Sequence, residues 1–571
     1  MTKPEIFASK AVHQYRTRDV FAYLALRYYF ESDAAKLDRW AEDNAAQIVL
    51  ASPKGRYLPV LHLKDIKEDG KPEHRPLFVP SPSEALVEAL IICECAQAWK
   101  SERSPRLFSY EAQDRQSPGA YFETYMPGLR RRQSAIGASC KSNPNALVRY
   151  IDIKRFYPSI TPRIAGNAWT NFCERHDLPE LIRTLGRKLI KNHAIETNDQ
   201  SILTGPMFSH FLANLVLKDI DDAAPDLPAA YFRYVDDITL VGTEAQINES
   251  VQAISDRLGG IGFALHIGNA AKDFVVPATE WLASVSDFSD ESGQESWRNL
   301  VGGIKQFLLL HAEQALELDD ALKAQGFRFP LPDYSKAISE RSAYQKVKRL
   351  GLWHWLFRKA ARTSIDSIIA DGARLAKRYE AEAYSLLGQV AGDGTFHRKR
   401  NVSKLRYRLG RLIYLADTES LSRLQLATNG IKELRFHSAI IRAVVTRDCS
   451  EVIDLGANVA QATAQIFRAT GETAAFASPI STDAEMQGLA VFLLNGVSVE
   501  GEVRTDQNPL VKIAYRGIDR DLMMQPRGFV QELACLHGLG EPRHANVMKT
   551  AFDLDQDITL DALEFEYGYY M

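Results

Sequence analysis

The spacing of apolar positions changes character about halfway along this chain. Up to about residue 276, apolar runs of strand length are interleaved with stretches in which apolar residues recur every three or four positions; from about residue 300 the helical spacing is almost uninterrupted. Residues 1–50 read as helical, with an aromatic-rich face between Phe21 and Phe30. Strand-like pieces at 58–63 and 76–79 flank a Gly70-Lys71-Pro72 turn. Residues 146–151 form another strand-like run, and the runs 229–234 and 238–242 face each other across the acidic turn Val235-Asp236-Asp237. Helices are expected at 209–221, 301–318, 337–362, 365–387, 402–415, 419–427, 431–446 and 452–470.

This pattern predicts an α+β protein in two parts, a mixed domain over 1–290 with an N-terminal helical extension and an α-helical domain over 291–571. Serial amphipathic helices without a regular sequence period predict a bundle or a stack of degenerate repeats. A chain of 571 residues that is 46% apolar and 25% charged has the composition of a globular protein with sizeable cores. Its longest apolar stretches, such as 86–93 with its Glu88, fall short of the roughly 18 residues a membrane helix requires. The N-terminus carries no signal-peptide pattern, so a cytoplasmic location without a membrane partner is expected. Cys93, Cys95, Cys140, Cys173, Cys449 and Cys535 have no paired C-x-x-C spacing and read as buried thiols.

Two adjacent carboxylates at a hairpin tip between apolar strands pack poorly, because each needs a partner once desolvated, but they suit a site for divalent cations. Asp152 closes the run 146–151, and the stretch from there to Asp236 has room for helices that bring the chain back beside the first strand. Asp152, Asp236 and Asp237 are therefore expected to meet at one sheet edge. Nucleotidyl transfer is a reaction that uses such a set, with two cations clamped by carboxylates. Asp152 and Asp236 are the candidate metal-holding residues, with Asp237 in support.

These residues also carry a family resemblance. The stretch Ile151-Asp152-Ile153-Lys154-Arg155-Phe156-Tyr157-Pro158-Ser159-Ile160 resembles motif A of reverse transcriptases, and Tyr234-Val235-Asp236-Asp237 resembles their motif C. Thr204-Gly205-Pro206-Met207-Phe208-Ser209 and the helix after it are similar to motif B, with Leu203-Thr204-Gly205 where intron and retroviral enzymes have Pro-Gln-Gly. That departure, together with a helical region downstream, resembles the abortive-infection and defence-associated bacterial reverse transcriptases. The resemblance spans roughly residues 55–280 and implies fingers and palm. It also implies Mg2+ or Mn2+, deoxynucleoside triphosphates as substrates, a DNA product and a role in antiviral defence.

Residue by residue, the resemblance adds Ile153, next to Asp152, to the metal-holding residues and makes Tyr157 the side chain under the incoming sugar, Gly205 the close backbone approach, Arg75 a triphosphate partner and Lys272 the motif D lysine that protonates pyrophosphate. An exposed hairpin lysine is an equal reading of Lys272. Abortive-infection enzymes further imply priming from a protein tyrosine, with DNA covalently attached; Tyr567, Tyr569 and Tyr570 at the C-terminal tip are the candidates. RNA-templated synthesis on a partner RNA, and a non-catalytic helical scaffold, stand as alternatives, and homo-oligomerisation stays open.

A net charge of −3 argues against a protein that coats nucleic acid, so phosphate binding would fall to local tracts. These are Arg130-Arg131-Arg132, residues 346–362, and a run holding Arg398, Lys399, Arg400, Lys404, Arg406 and Arg408. Each reads equally well as a solvated helix face.

Overall fold

β-Branched and aromatic residues dominate four segments of the first half of the chain, and in the structure, a computed structural model, these four pair into one antiparallel sheet. Described are residues 3–16, 21, 22, 26, 45–113, 119–123, 125–268, 272–289, 296–331, 363–390, 395–477, 479–501, 508–516 and 529. The protein is α+β and divides into two compact units. The first comprises Met1–Gln14, Ala35–Leu58 and Leu77–Asp290, the second Tyr15–Ala34, Pro59–Pro76 and Glu291–Met571.

In chain order the first half contains α1 (Lys3–Arg16), α2 (Ala46–Ala51), the hairpin β1 (Tyr57–Ile66) and β2 (Pro72–Pro80), α3 (Pro82–Glu102), α4 (Tyr125–Ser142), β3 (Leu147–Asp152) and the single turn α5 (Phe156–Ser159). There follow α6 (Pro162–Arg175), α7 (Glu180–Glu196), α8 (Met207–Val216), α9 (Lys218–Asp222), β4 (Ala230–Tyr234), β5 (Asp237–Gly242), α10 (Glu244–Gly260), β6 (Asp273–Pro277) and α11 (Ala278–Ser289). The sheet order is β4-β5-β3-β6.

The helices between β3 and β4 return the chain so that β5 lies against β3, with Asp152 directly opposite Asp237. Thr161 starts α6 by accepting the Ile164 N–H, with Pro162 in the first turn. Trp169 of α6 then packs edge-on against Phe208 and Phe211 of α8. Gly186 lets α7 close on the same indole, since a Cβ there would fall 2.3 Å from the ring. The helix expected at 209–221 is instead two, broken at Leu217.

Among its described residues the second unit is mainly helical, apart from the hairpin segment Pro59–Pro76. Its helices are α12 (Trp297–Leu310), α13 (Ala315–Ala324), α14 (Ile365–Val390), α15 (Thr395–Leu415), α16 (Thr418–Thr428), α17 (Arg435–Thr446), α18 (Ser450–Leu455), α19 (Ala457–Thr470), α20 (Asp483–Leu494) and α21 (Pro509–Arg516). The single helix expected over 452–470 is split at Gly456, whose φ of +124° favours glycine and where a Cβ would meet the Leu61 carbonyl at 2.8 Å. Strand β1 is held along its edge by side chains of α19 and α20. Leu61 donates its N–H to Gln487 (2.8 Å), Gln487 donates to the Pro59 carbonyl (2.9 Å), and Leu63 donates to Asn458 (3.1 Å). No helix among the described residues is long and apolar enough to cross a membrane.

Candidate metal centre

The β3–β5 register decides the site. Pairing Asp152 with Asp237 and joining β4 to β5 through Val235-Asp236 brings one carboxylate oxygen from each of Asp152, Asp236 and Asp237 within 4.8 Å of the others. Asp152 is buried, and the other two are half-buried. Main-chain bonds fix the junction: Ile153 donates to the Asp236 carbonyl (3.2 Å), Asp152 to that of Lys272 (3.1 Å), and His266 to that of Asp152 (2.9 Å).

The turn itself is clamped. Val235 adopts φ +56°, a left-handed conformation that a β-branched residue avoids. Its N–H donates to Ser109 Oγ (2.9 Å), and its carbonyl accepts from Arg233 Nη1 (2.6 Å). Arg233 is wholly buried and ion-paired with Asp221, whose Oδ1 accepts from Arg233 Nε (2.8 Å) and from the Tyr231 hydroxyl (3.0 Å).

Burial, then the neighbouring charges of Asp237 and Asp152, push the Asp236 carboxyl well above the ordinary carboxylate range. Burial also raises Asp237, against the opposing pull of Arg132 and a hydrogen bond from the Tyr150 hydroxyl. Lys272 donates to Asp152 Oδ2 (2.8 Å); burial alone would lower its ammonium, but that bond and the charges of Asp152, Asp237 and Asp236 outweigh it and hold the group protonated. The loop carrying Lys272 is pinned by Asp273, which takes a bidentate ion pair from Arg149 of β3 (2.9 Å to each oxygen) and the Gly268 N–H. An oxygen-only donor set with surplus negative charge fits a hard divalent cation such as Mg2+ or Mn2+. Each of the three carboxylates offers one oxygen to such a cation, with one oxygen of Asp152 engaged by Lys272 and one of Asp237 by Tyr150.

The remaining expected residues are dispersed. Tyr157 sits half-buried on α5 with its hydroxyl hydrogen-bonded to His210 Nδ1. Gly205 has φ +125°, and a Cβ there would lie 2.6 Å from the Phe78 carbonyl, while Phe78 donates its N–H to Thr204 (2.8 Å). The close backbone approach is thus made to β2. Arg75 is exposed on β2, within the segment that belongs to the second unit.

The basic run on α15 is divided. Arg398 pairs with Glu433, and Arg408 pairs with Glu382 while lying over Tyr379. Arg406 is buried on the Glu433 carbonyl, whereas Lys399, Arg400 and Lys404 are half-exposed. In the other described tract Arg132 turns inward, donating to Thr239 Oγ1 of β5 (2.6 Å), and Arg131 pairs with Glu111 and Glu123. Tyr567, Tyr569, Tyr570 and residues 346–362 lie outside the described residues.

Ser109, Tyr150, Asp221, Arg233 and His210 were not expected at the site, and Arg132 was expected in a phosphate-binding tract. A signal existed for two groups: Arg233 is a lone cation in an apolar strand, and Glu88 is a carboxylate within the apolar run 85–93 of α3, where it accepts the Met207 N–H (2.8 Å) that opens α8. The described cysteines, Cys93, Cys95, Cys140, Cys173 and Cys449, are buried and in no disulfide. No protein-family model matches the chain, and neither does any curated protein.

Proposed function

We propose that the chain is a reverse-transcriptase-like DNA polymerase, with fingers and palm within its first 290 residues, that adds deoxynucleotides to a 3′ or protein hydroxyl by two-metal nucleotidyl transfer. The observation that carries this reading is the convergence of Asp152, Asp236 and Asp237 at the edge of a four-stranded antiparallel sheet, from motifs that occur in the polymerase order. An acidic cluster alone is generic. Here it is accompanied by an aromatic residue, Tyr157, five positions after Asp152, and by a glycine turn, Gly205, opening a buried helix.

Asp152 and Asp236 would hold Mg2+, which when bound lowers the pKa of the attacking hydroxyl and neutralises the triphosphate. Asp237, tethered by Tyr150 and facing Arg132, keeps the turn in place and contributes charge. Lys272 is a protonated donor at the edge of the cluster, ion-paired with Asp152, and would be the group to deliver a proton to the leaving pyrophosphate. By the motif resemblance, Tyr157 would lie under the incoming sugar and exclude a 2′-hydroxyl. The defence role and tyrosine priming rest on the motif resemblance to abortive-infection enzymes.

The test is incorporation of each labelled dNTP by the purified full chain with Mg2+ and no added template, beside the same assay with RNA or DNA templates. Incorporation by the wild-type chain that falls at least about 100-fold in Asp236→Asn is expected, in keeping with loss of a metal ligand. Equal incorporation by Asp236→Asn would remove the site from the reaction.

A further inference from the structure

One aromatic group, five residues after Asp152, is tied down more tightly than packing requires. Tyr157 lies on a single helical turn entered through Arg155 in the left-handed region (φ +46°), so little regular structure fixes its ring. Its hydroxyl is hydrogen-bonded to Nδ1 of His210, and the two rings meet edge to face at 5.1 Å and 87°. His210 stands in the first turn of α8, only 3% exposed. Tyr110 stacks flat on the imidazole, centroids 4.2 Å apart at 11°.

Tyr110 also has a left-handed backbone (φ +48°), and the residue before it, Ser109, accepts the Val235 N–H of the metal turn. One short strap thus braces the turn that carries Asp236 and the histidine that holds Tyr157. Main-chain bonds from Phe108 to the Arg233 carbonyl (3.0 Å) and from Arg233 to the Arg106 carbonyl (2.9 Å) fix the strap to β4.

We propose that His210, backed by Tyr110, is a positioning residue that fixes the Tyr157 ring and thereby sets discrimination between deoxyribo- and ribonucleotides. This rests on the polymerase reading above. Exclusion of a 2′-hydroxyl is a steric matter of fractions of an ångström, and a tyrosine ring that is free to swing excludes it poorly. A hydroxyl tethered to a buried imidazole, itself stacked on a second ring, removes that freedom. A histidine that merely filled the core would leave sugar selection untouched when replaced by a ring of similar size.

The test is a double-mutant cycle on the full chain: wild type, Tyr157→Phe, His210→Phe and the double variant, each assayed for dCTP against CTP incorporation and for urea unfolding. Each single variant is expected to lose about 3- to 10-fold in the dCTP/CTP ratio, the loss of one neutral hydrogen bond, and the double variant no more than either. His210→Gln, which keeps a hydrogen-bonding side chain without the ring, is expected to recover part of the ratio and guards against a misfolded His210→Phe. Coupling between positions 157 and 210 should also appear in unfolding. Additive losses, or an unchanged ratio in His210→Phe while Tyr157→Ala shifts it, would overturn the positioning role and leave the polymerase reading standing. An unchanged ratio in Tyr157→Ala overturns the sugar-selecting role of both residues. A wild-type chain that incorporates neither nucleotide overturns the polymerase reading and the specificity role with it.

Discussion

Val235 holds a backbone conformation that costs a β-branched residue on the order of 1–3 kcal/mol, and such strain persists where the surroundings over-determine it. Here the surroundings are Ser109 on one side of the peptide and the buried Arg233–Asp221 pair on the other. Removing one partner of a buried ion pair leaves an uncompensated charge, so Arg233→Met is expected to destabilise the fold by about 3–5 kcal/mol. Arg233→Met with Asp221→Leu should recover much of that stability, yet not nucleotide incorporation, because the Val235 carbonyl still lacks its donor. Urea unfolding and incorporation assays on both variants check this; full activity in the double variant would show that the clamp does not set the turn. At this scale the carboxylates were legible because charge in an apolar strand context is conspicuous. The groups that hold them were not, because Ser109, Arg132 and Asp221 meet the turn only through the tertiary fold, and nothing local in their own segments marks them.

Among elements, strands were legible to within a few residues where apolar runs are bounded by turns: 229–234 was expected and Ala230–Tyr234 is found. Helix breaks were not, since apolar periodicity continues through them. Gly456 ends α18 because of what approaches its Cα, and α12 stops at His311 where one helix was expected to run on to 318. Helix α7 carries a different hidden feature. His193 is wholly buried beside the Tyr57 ring, neither ring nitrogen has a hydrogen-bond partner among the described residues, and burial holds its pKa at about 3. An unfolded histidine titrates near 6.5, so between roughly pH 6.5 and 3 the unfolded chain takes up a proton that the folded one refuses. Stability should therefore fall with falling pH in that window, by up to about 1.4 kcal/mol per pH unit from this residue. His193→Leu is expected to flatten the slope of unfolding free energy against pH by that amount; an unchanged slope would mean that the imidazole is protonated in the fold.

For the whole molecule, the change in apolar period near residue 300 marks the point where the mixed unit gives way to helices, but periodicity could not show that residues 59–76 belong with the second unit. That assignment comes from side chains of Asn458 and Gln487 satisfying the hairpin backbone. The same unit shows why a run of basic residues is weak evidence for nucleic acid. Arg406 serves the interior, and Arg406→Ala should cost about 1–3 kcal/mol by orphaning the Glu433 carbonyl. Lys399, Arg400 and Lys404 are the members left to test. Neutralising the three to Gln is expected to weaken binding of single-stranded DNA and flatten its log–log salt dependence by about 0.7 for each phosphate no longer neutralised. Unchanged affinity and slope would assign the tract wholly to folding.

The claim on which all of this turns is that Asp152, Asp236 and Asp237 converge in order to hold a divalent cation. Titration of Mn2+ followed by electron paramagnetic resonance tests it without presuming an activity. The wild-type chain is expected to bind Mn2+, with affinity at least about 100-fold weaker in Asp152→Asn and in Asp236→Asn, and Mg2+ should compete for the same site. Mn2+ binding that is equal in wild type and both variants would contradict the metal centre, and the polymerase reading would lose its chemistry.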